Sequence, residues 1–494
     1  MALVRFSGLV TALVLMVSCP ANAAELLVLS RSGEVHRRAD PGVAADGRPT
    51  PPHLGERSAG ARAVRVATRR APTRTVATEL RRLLDEGQID APTYLARRAA
   101  YDDFKTAVEA FSGRRRIDMA GALGVVDGIA ARGQLTPSRL NALWLTLERN
   151  REWWNLGPLL ASGQRVSFDG SELVWQYVPG EGIQLHPLAN FGKLNALWRS
   201  RRDAARMAAL LQELLALPAQ RAGGLAWEYY FDFGGGAPPW VSGLAQGTGL
   251  QAMARAAVKA GRGAELLPWL RGGLGIFRTA PPEGVQVAGE NGGAHFLQYS
   301  FAPGLEVLNG FVQSLVGLYD FGQIAADAEA QALFAAGEAS ARAEVPAFDT
   351  GAWSLYSRGT STHESSLNYH EVLRDFLAGL CDRTLDPVFC GAEANFTRYL
   401  AEGPQLTLVT RRLRGGRTGT LRFTLSKISR VAIRVARGRT VPLATTAVLA
   451  GGAKAVPLRV PRRAGTYRVS VQATDLAGNA AEVSGTVRVL KPRR

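Results

Sequence analysis

Residues 290–321 read ENGGAHFLQYSFAPGLEVLNGFVQSLVGLYDF, which joins a loop rich in glycine and aromatic residues to a helical pattern. Apolar side chains in the second half recur at three- and four-residue intervals, as on one buried helix face. Similar helical segments occupy 206–217 and 249–261 before it and 368–380 after it. Helix pairs with long polar and aromatic loops at one end are typical of an α/α toroid, which we expect over 156–402.

The chain before these helices predicts more helices and a short β region. Residues 76–155 follow a helical pattern, in which Thr136 and Pro137 supply an N-cap followed by proline at the first helical position. Over 164–178 the sequence QRVSFDGSELVWQYV changes to strand-like alternation around a Phe-Asp-Gly turn. We therefore expect a multidomain, mainly α-helical protein, with an N-terminal helical region over 76–155 and a short β region before the toroid helices.

The first residues have the composition of a secretory signal. Arg5 supplies the charged start, residues 9–17 an apolar core too short to span a bilayer, and Ala21-Asn22-Ala23 a small-residue cleavage site. Cleavage after Ala23 predicts a secreted or extracytoplasmic protein, and no later stretch predicts a transmembrane segment. Residues 24–75 are rich in proline, glycine and arginine, which predicts an exposed linker with little fixed structure.

The net charge of the chain is concentrated in its last part. The whole chain carries 59 Lys and Arg against 42 Asp and Glu, a net charge of +17, and residues 411–494 hold 19 of the basic and two of the acidic residues. This segment consists of short alternating runs broken by glycine and proline, which predict an immunoglobulin-like β-sandwich. We expect it to bind polyanions, either an acidic polysaccharide or an anionic cell envelope, and we do not expect nucleic acid as a partner of an exported protein.

The composition excludes several classes of protein. Three cysteines are too few for a disulfide-stapled scaffold or a cysteine-built metal site, and we expect Cys381 and Cys390 to form a structural disulfide in an oxidising compartment. The sequence contains no phosphate-binding loop, no HExxH zinc motif and no dinucleotide fingerprint after a strand. We therefore expect neither a metal nor a cofactor.

Polar and aromatic residues are crowded into three loops between the predicted helices, at 227–247, 290–311 and 348–373. Aromatic faces and a few oriented hydrogen-bonding groups are what a carbohydrate cleft needs. The candidate substrate-binding residues of the first two loops include a tyrosine, a tryptophan and three amides: Tyr230, Trp240, Gln246, Gln298 and Asn309.

Four separated stretches of these loops and helices, 239–256, 297–320, 345–357 and 368–377, resemble the C-terminal catalytic domain of the D-glucuronyl C5-epimerases. A fifth short match, DPVF at 386–389, follows them in the same order. The resemblance covers about half of the chain and implies an α/α toroid with active-site tyrosines on its loops. It implies conversion of glucuronate to iduronate within heparan-type polysaccharides.

The resemblance also implies roles for individual residues. The tyrosine before the LNGF helix is Tyr299, the one in the DTG…LY motif is Tyr356, and the one in the YH pair is Tyr369. Arg358 lies close to the position of the arginine that binds the substrate carboxylate in the family, and His370 is a second candidate for that contact. We expect Tyr369 and a partner, either Tyr299 or a nearby acid, to act on opposite faces of the sugar ring.

One departure from the family pattern bears on the chemistry. The catalytic glutamate of the family directly precedes the first tyrosine, and here that position is Gln298. Glutamine cannot abstract a proton, so an acid such as Glu228, Glu290 or Glu306 replaces it, or the chemistry differs. The alternatives are a polysaccharide lyase, which also removes the C5 proton but then eliminates the C4 substituent, and a non-catalytic protein that binds acidic glycans.

Overall fold

Residues 23–44 and 74–492 are the part of the chain that the computed structural model describes. The predicted signal segment, apart from Ala23, lies outside the described residues. The helices of the described part are Val76–Asp85 (α1), Ala91–Ala110 (α2), Gly113–Ala131 (α3), Pro137–Leu156 (α4), Pro187–Arg199 (α5), Ala204–Leu215 (α6), Gly243–Lys259 (α7), Gly263–Leu270 (α8), Gly275–Arg278 (α9), Leu308–Ile324 (α10), Ala328–Glu344 (α11), Leu367–Thr384 (α12) and Pro387–Ala401 (α13).

The strands fall into several small sheets along the chain. They are Ala23–Leu29 (β1), Val35–Ala44 (β2), Arg165–Phe168 (β3), Trp175–Val178 (β4), Gly182–Leu185 (β5), Ala219–Arg221 (β6), Gly224–Ala226 (β7), Gln286–Ala288 (β8), Ala294–Phe296 (β9), Leu305–Val307 (β10), Leu355–Gly359 (β11), His363–Glu364 (β12), Leu406–Leu408 (β13), Arg412–Arg414 (β14), Thr418–Leu425 (β15), Ser429–Arg437 (β16), Thr440–Leu449 (β17), Gly452–Arg459 (β18), Gly465–Asp475 (β19) and Ala480–Leu490 (β20).

The predicted linker is wrong in its first part. Strands β1 and β2 form an antiparallel pair, and β1 also pairs in parallel with β3, which gives a five-stranded sheet in the order β2-β1-β3-β4-β5. Leu26 and Val28 pack against Val174 and Ala189 on one face of β1, and Leu29 joins the main core. The short apolar run of β1 is thus buried on both faces, a pattern that the proline- and arginine-rich residues after it obscured. The rest of the predicted linker, 45–73, lies outside the described residues.

The helices share one hydrophobic core. Helix α4 begins as the sequence predicts, with Thr136 as N-cap and Pro137 at the first helical position. Buried apolar residues from Leu29 to Tyr399 form a single cluster, so the helices of 76–155 pack onto the later helices without a core of their own. Large aromatic side chains such as Trp153 and Trp175 are fully buried in it.

Alternate helices of the second half pack side by side. Helix α7 contacts α5 and α10, and α10 contacts α12, while each of these four helices also packs against the helix that follows it in the chain. This arrangement gives an arc of helix pairs. The closed α/α toroid remains a prediction.

The C-terminal part of the chain is rich in strands, as predicted. One sheet has the order β13-β15-β18, and a second has the order β14-β20-β19-β16-β17. Their inward residues, among them Phe423 of β15 and Val471 of β19, form one separate core. The protein is therefore a mixed α and β protein of more than one core, and the immunoglobulin-like relationship of this region remains a prediction.

Among the helices of 23–44 and 74–492, the structure contains none that is both long and apolar enough to cross a membrane.

Candidate active site

The three tyrosines singled out by the sequence lie together, and we call Tyr299, Tyr356 and Tyr369 the tyrosine cluster. The phenol oxygens of Tyr299 and Tyr356 are 3.5 Å apart. The rings of Tyr356 and Tyr369 have their centroids 4.7 Å apart at an interplanar angle of 53°. Since the three come from 299, 356 and 369, this juxtaposition is a product of the tertiary fold.

Each member of the tyrosine cluster is positioned by a different element. Tyr299 lies in the loop before β10 and α10, and Tyr356 lies on β11, which pairs antiparallel with β10. Tyr369 lies in the first turn of α12, where its backbone N–H donates to the side chain of the N-cap residue Ser366. A strand, a loop and a helix start thus meet at one point, which is the kind of rigid support that a catalytic group needs.

The environment keeps the phenols of Tyr299 and Tyr356 protonated. Tyr299 and Tyr356 are almost fully buried. Burial, and next to it the neighbouring Tyr356 phenol, raises the pKa of Tyr299 well above its ordinary value of 10.0, and burial also raises the pKa of Tyr356. At neutral pH both side chains are therefore hydrogen-bond donors and proton donors, and neither is a base.

Gln298 belongs to the same site. Its amide Nε2 donates a hydrogen bond of 2.8 Å to the phenol oxygen of Tyr299. Its Oε1 is buried without a hydrogen-bond partner among the described residues, as is Oδ1 of Asn309 in the first turn of α10. A Cβ at Gly310 would lie 2.7 Å from Gln298 Oε1, so glycine at this position lets the helix approach the amide. Unsatisfied buried acceptors are destabilising and are uncommon in folded proteins.

Trp240 also reaches the site, as part of an aromatic wall. Its ring stacks on Tyr229 at a centroid distance of 4.2 Å and meets the ring of Tyr299 edge-on at 6.0 Å. Phe233 and Phe301 lie 5.5 Å and 5.4 Å from Tyr299 by the same measure. The loop at 227–247 therefore contributes an aromatic surface beside the tyrosine cluster.

The structure contradicts a substrate-binding role for His370. The side chain is fully buried, and its ring stacks on Trp353 with 3.7 Å between the ring centroids. Its Nδ1 accepts a hydrogen bond from the backbone N–H of Ser354, and its Nε2 donates one to the carbonyl of Phe396. Burial lowers the pKa of this imidazole to about 4, so it is neutral. Neighbouring residues on a helix point about 100° apart, so Tyr369 can face the cluster only if His370 faces the core.

Tyr230 and Glu228 are likewise placed in the core and not at the site. The phenol of Tyr230 donates to Glu228 at 2.9 Å, and the same carboxylate receives hydrogen bonds from Arg139 and Arg221 at 2.7 Å each. These ion pairs outweigh burial and lower the pKa of Glu228. A carboxylate held by two guanidiniums inside the core is a structural charge network, which excludes Glu228 as the replacement base.

Gln246 is also structural. Its Nε2 donates to the carbonyl of Trp227 at 2.8 Å, and its Oε1 accepts from the backbone N–H of the same residue. Both functions of the amide are thus used to fix the backbone before the aromatic wall. The interpretation of Gln246 as a substrate ligand is wrong for that reason.

Two charged candidates lie on the ribbon that carries Tyr356. Glu306 of β10 is directly opposite Arg358 of β11, so the two side chains share one face of the strand pair. The guanidinium carbon of Arg358 lies 5.4 Å from the ring centroid of Phe348, an aromatic contact that the sequence did not predict. Glu290 is exposed in a short 3₁₀ turn, away from this ribbon. Of the three acids considered, Glu306 is therefore the one on the strand pair that carries Tyr356.

The sequence interpretation missed two acidic residues at the edge of the aromatic wall. Glu181, in the turn between β4 and β5, accepts from the backbone N–H of Asp232 at 3.0 Å, and Asp232 lies between Phe231 and Phe233. Burial raises the pKa of Glu181 to about 7, and it also raises the pKa of Asp232. In the sequence, the only local indication of this pair was that Glu181 is the single acid of a glycine-rich turn.

The C-terminal region contacts the loop that carries Tyr356 and Tyr369. Lys427 forms a buried ion pair of 2.8 Å with Asp475, and its ammonium also lies 5.2 Å from the ring of Trp353. The carboxylate of Glu364 on β12 accepts from the backbone N–H groups of Ile428 and Gly451 at 2.9 and 2.6 Å. Because β12 pairs with β11, this region supports the strand that carries Tyr356.

Two further observations concern covalent and metal chemistry. The structure pairs Cys381 with Cys390, with a sulfur–sulfur distance of 1.97 Å between the ends of neighbouring helices α12 and α13. In the residues that the structure describes, no three His, Cys, Asp or Glu side chains gather in a way that suits a metal ion. That the protein needs no metal or cofactor remains a prediction.

Comparison with known proteins shows which family these residues resemble. Residues 222–398 match the family described as D-glucuronyl C5-epimerase C-terminus. A D-glucuronyl C5-epimerase from Caenorhabditis elegans is 33% identical over 164 residues, which are 29% of this chain and 26% of that protein. The chain therefore spans about a quarter of the length of this curated relative.

Among solved structures, the crystal structure of an engineered protein matches with a TM-score of 0.15 and 17% identity, over 36% of this chain and 46% of that one. Such a likeness carries no argument about the fold. The family match, in contrast, contains the whole tyrosine cluster and Gln298. Residues 222–398 of this chain are thus similar to the C-terminal domain of the D-glucuronyl C5-epimerase family.

Proposed function

We propose that the protein is an isomerase that inverts C5 of hexuronate residues in an anionic polysaccharide, converting glucuronate to iduronate without a cofactor. The observation that carries this proposal is the meeting of Tyr299, Tyr356 and Tyr369 within the segment that matches the epimerase family. Heparan-type chains are the polymer class that the family suggests.

The reaction needs a base on one face of the sugar and an acid on the other. The C5 hydrogen is weakly acidic because it lies beside a carboxylate, and its removal places charge on the carboxylate oxygens. Since burial keeps Tyr299 and Tyr356 as neutral phenols, they supply protons and hydrogen bonds, and we propose a carboxylate as the base. Gln298 cannot be that base, and Glu228 is held by two arginines.

We assign the base to Glu306 and the acid to Tyr369. The carboxylate of Glu306 takes the C5 proton, and the electron pair moves into the uronate carboxylate, where Arg358 and the Tyr356 phenol stabilise the added charge. The Tyr369 phenol then gives its proton to C5 from the opposite face. After product leaves, the proton on Glu306 and the phenolate of Tyr369 are restored to their starting states through solvent, so the cycle balances.

The rest of the chain is proposed to serve this function. We propose that the arc of helix pairs belongs to an α/α toroid, that the C-terminal region is immunoglobulin-like, and that the protein is secreted or extracytoplasmic. Its net positive charge supports contact with polyanions, either the polysaccharide or an anionic cell envelope. Nucleic acid and a transmembrane anchor are not part of the proposal.

Incubation with an unsulfated glucuronate polymer in heavy water tests the proposal. We expect deuterium at C5 and iduronate in the hydrolysed product, with no change in chain length. Tyr369→Phe is expected to lower the rate of iduronate formation by about 100-fold or more, while Tyr319→Phe, a tyrosine of α10 that packs against Phe334, leaves it unchanged. Equal rates for the two variants contradict the assignment of Tyr369.

The same experiment separates the alternatives. Chain shortening with a product that absorbs in the ultraviolet indicates a polysaccharide lyase. Binding of the polymer with no exchange and no cleavage indicates a non-catalytic glycan-binding protein, which is the alternative that Gln298 favours because an amide is no base.

A further inference from the structure

Five exposed arginines line the outer face of the five-stranded C-terminal sheet, and we call four of them, Arg412, Arg488, Arg468 and Arg434, the arginine stripe. The fifth, Arg430, lies four residues before Arg434 on β16. We infer that the arginine stripe is a binding surface for a linear acidic polysaccharide, separate from the tyrosine cluster. This inference rests on the proposed function for the identity of the polymer, and on the geometry of the sheet for the binding itself.

The strand register arranges the stripe as a diagonal. Arg412 of β14 is opposite Arg488 of β20, which in turn is opposite Thr466 of β19. Arg468 comes two residues after Thr466 on the same face, and Arg434 of β16 is opposite Ser470, two residues further along β19. With about 4.8 Å between strands and about 3.4 Å per residue, successive Cα atoms of the stripe are about 5 to 8 Å apart.

The charges of the stripe are not neutralised by the protein. Within the described residues, none of the four guanidiniums forms an ion pair or a side-chain hydrogen bond. Glu482 is the exposed acid of this face. It lies opposite Gln472, which is four residues along β19 from Arg468. The buried Asp475 is already paired with Lys427. The surface therefore presents a row of uncompensated positive charges to solvent, which attracts a polyanion.

The residues between the arginines favour a polysaccharide over other polyanions. Thr466, Ser470 and Thr486 place hydroxyl groups on the same face, which can hydrogen-bond to sugar hydroxyls. The aromatic residue of these strands, Tyr467, is buried, so the face has no ring on which a nucleic acid base can stack. A flat diagonal of guanidiniums fits a linear chain that carries a carboxylate on each acidic sugar, since arginine binds carboxylates in a bidentate manner.

The stripe is separated along the sheet from the ion pair that helps to hold the catalytic loop, since Ser470, opposite Arg434, is five residues along β19 from Asp475. Lys427 and Glu364, which connect the two regions, are partly or fully buried, whereas the stripe is exposed on the outer sheet face. Binding at the stripe would retain a long polymer while successive sugars reach the tyrosine cluster. Short oligosaccharides, which cannot occupy both places, would not benefit from it.

The test compares two triple variants of the full chain with equal loss of charge. One variant changes the stripe, Arg434→Gln, Arg468→Gln and Arg488→Gln. The matched control changes three exposed arginines of the other sheet and its approach, Arg417→Gln, Arg422→Gln and Arg459→Gln. Unchanged circular dichroism and thermal midpoints establish that both are folded.

Affinity for a purified glucuronate polymer is measured by calorimetry at low and at high salt. We expect the stripe variant to bind about tenfold more weakly at low salt and the control variant less than threefold more weakly, with both differences reduced at high salt. Equal weakening of the two variants overturns the inference, because it shows an effect of net charge alone. Tighter binding of the unmodified chain to duplex DNA or to phosphatidylserine vesicles than to the polymer also overturns it.

The outcome is distinguishable from that of the proposed function. If the stripe variant loses affinity for the polymer and the unmodified chain exchanges no deuterium, the stripe inference stands and the epimerase proposal fails. If exchange on a hexasaccharide is equal in both variants and polymer affinity is also equal, the epimerase proposal stands and the stripe inference fails.

Discussion

The buried ion pair between Lys427 and Asp475 gives the sharpest stability prediction. The Lys427 side chain is 1% exposed and that of Asp475 is fully buried, with 2.8 Å between the charged atoms. The ammonium also donates to the backbone carbonyls of Tyr399, at 2.7 Å, and of Glu402 at the end of α13. One side chain thus joins the end of the last helix to the β-rich C-terminal region.

Replacement of Lys427 by methionine keeps the side-chain length and removes the charge. Asp475 is then left as an unpaired carboxylate in the core, and breaking a buried pair in this way typically destabilises a protein by about 3 to 5 kcal/mol. The backbone N–H of Asn479, which donates to Asp475 at 2.8 Å, remains and offsets part of the loss. We therefore expect Lys427→Met to lower the free energy of unfolding by about 3 kcal/mol.

Urea-induced unfolding, followed by tryptophan fluorescence and by far-ultraviolet circular dichroism, measures this change. Fluorescence is a suitable probe because Trp353 lies 5.2 Å from the ammonium. Lys491→Met, the same substitution at an exposed position, is the control and should change stability by less than about 0.5 kcal/mol. Adding Asp475→Asn to Lys427→Met should recover part of the loss. If Lys427→Met behaves like Lys491→Met, the pair does not join the two regions as we argue.

Three other predictions concern the site and its surroundings. Tyr356→Phe should lower deuterium exchange at C5 by about 100-fold without changing the urea midpoint by much. Gln298→Glu should raise exchange, because it supplies a carboxylate beside Tyr299. Unchanged exchange in both variants would count against the tyrosine cluster as the site. The folded protein holds the pKa of His370 at about 4, below its ordinary 6.5, so the unfolded state binds more protons between these values. His370 should therefore lower stability by at most about 3 kcal/mol as the pH drops from 6.5 towards 4. His370→Gln should make the urea-midpoint profile less steep, and the slope that persists includes His186, whose pKa burial lowers to about 3. Cys390→Ser should lower the free energy of unfolding by about 2 to 3 kcal/mol, because it opens the loop closed by Cys381 and Cys390, which are nine positions apart. Dithiothreitol should shift the urea midpoint of the unmodified chain to that of the variant and leave the variant unaffected.

The sequence alone identified the helices and the tyrosines well. Helix α4 begins at Pro137 after the predicted N-cap, and Tyr299, Tyr356 and Tyr369 lie together although three different loops and elements carry them. The helix start and the choice of these tyrosines follow from short-range patterns, because helical periodicity, capping residues and family motifs are read within about ten positions of the chain. The meeting of the three tyrosines is a product of the tertiary fold.

The sequence was less informative where a role depends on a distant partner. His370 and Tyr369 are adjacent in one motif, and only the packing of α12 against Trp353 turns the histidine into the core. Glu228 is an ordinary acid in sequence, and it becomes unavailable for catalysis because Arg139, 89 positions earlier, forms an ion pair with it. No local pattern contains that information.

What the sequence determined by itself is therefore the kind of elements and the set of chemically suitable side chains. The tertiary structure decided which of those side chains face each other, which are used up in the core, and that the β-rich C-terminal region supports the strand of Tyr356 through Glu364. The physical reason is that backbone propensity is a property of neighbouring residues, whereas burial, charge pairing and pKa depend on residues that only the folded chain brings together.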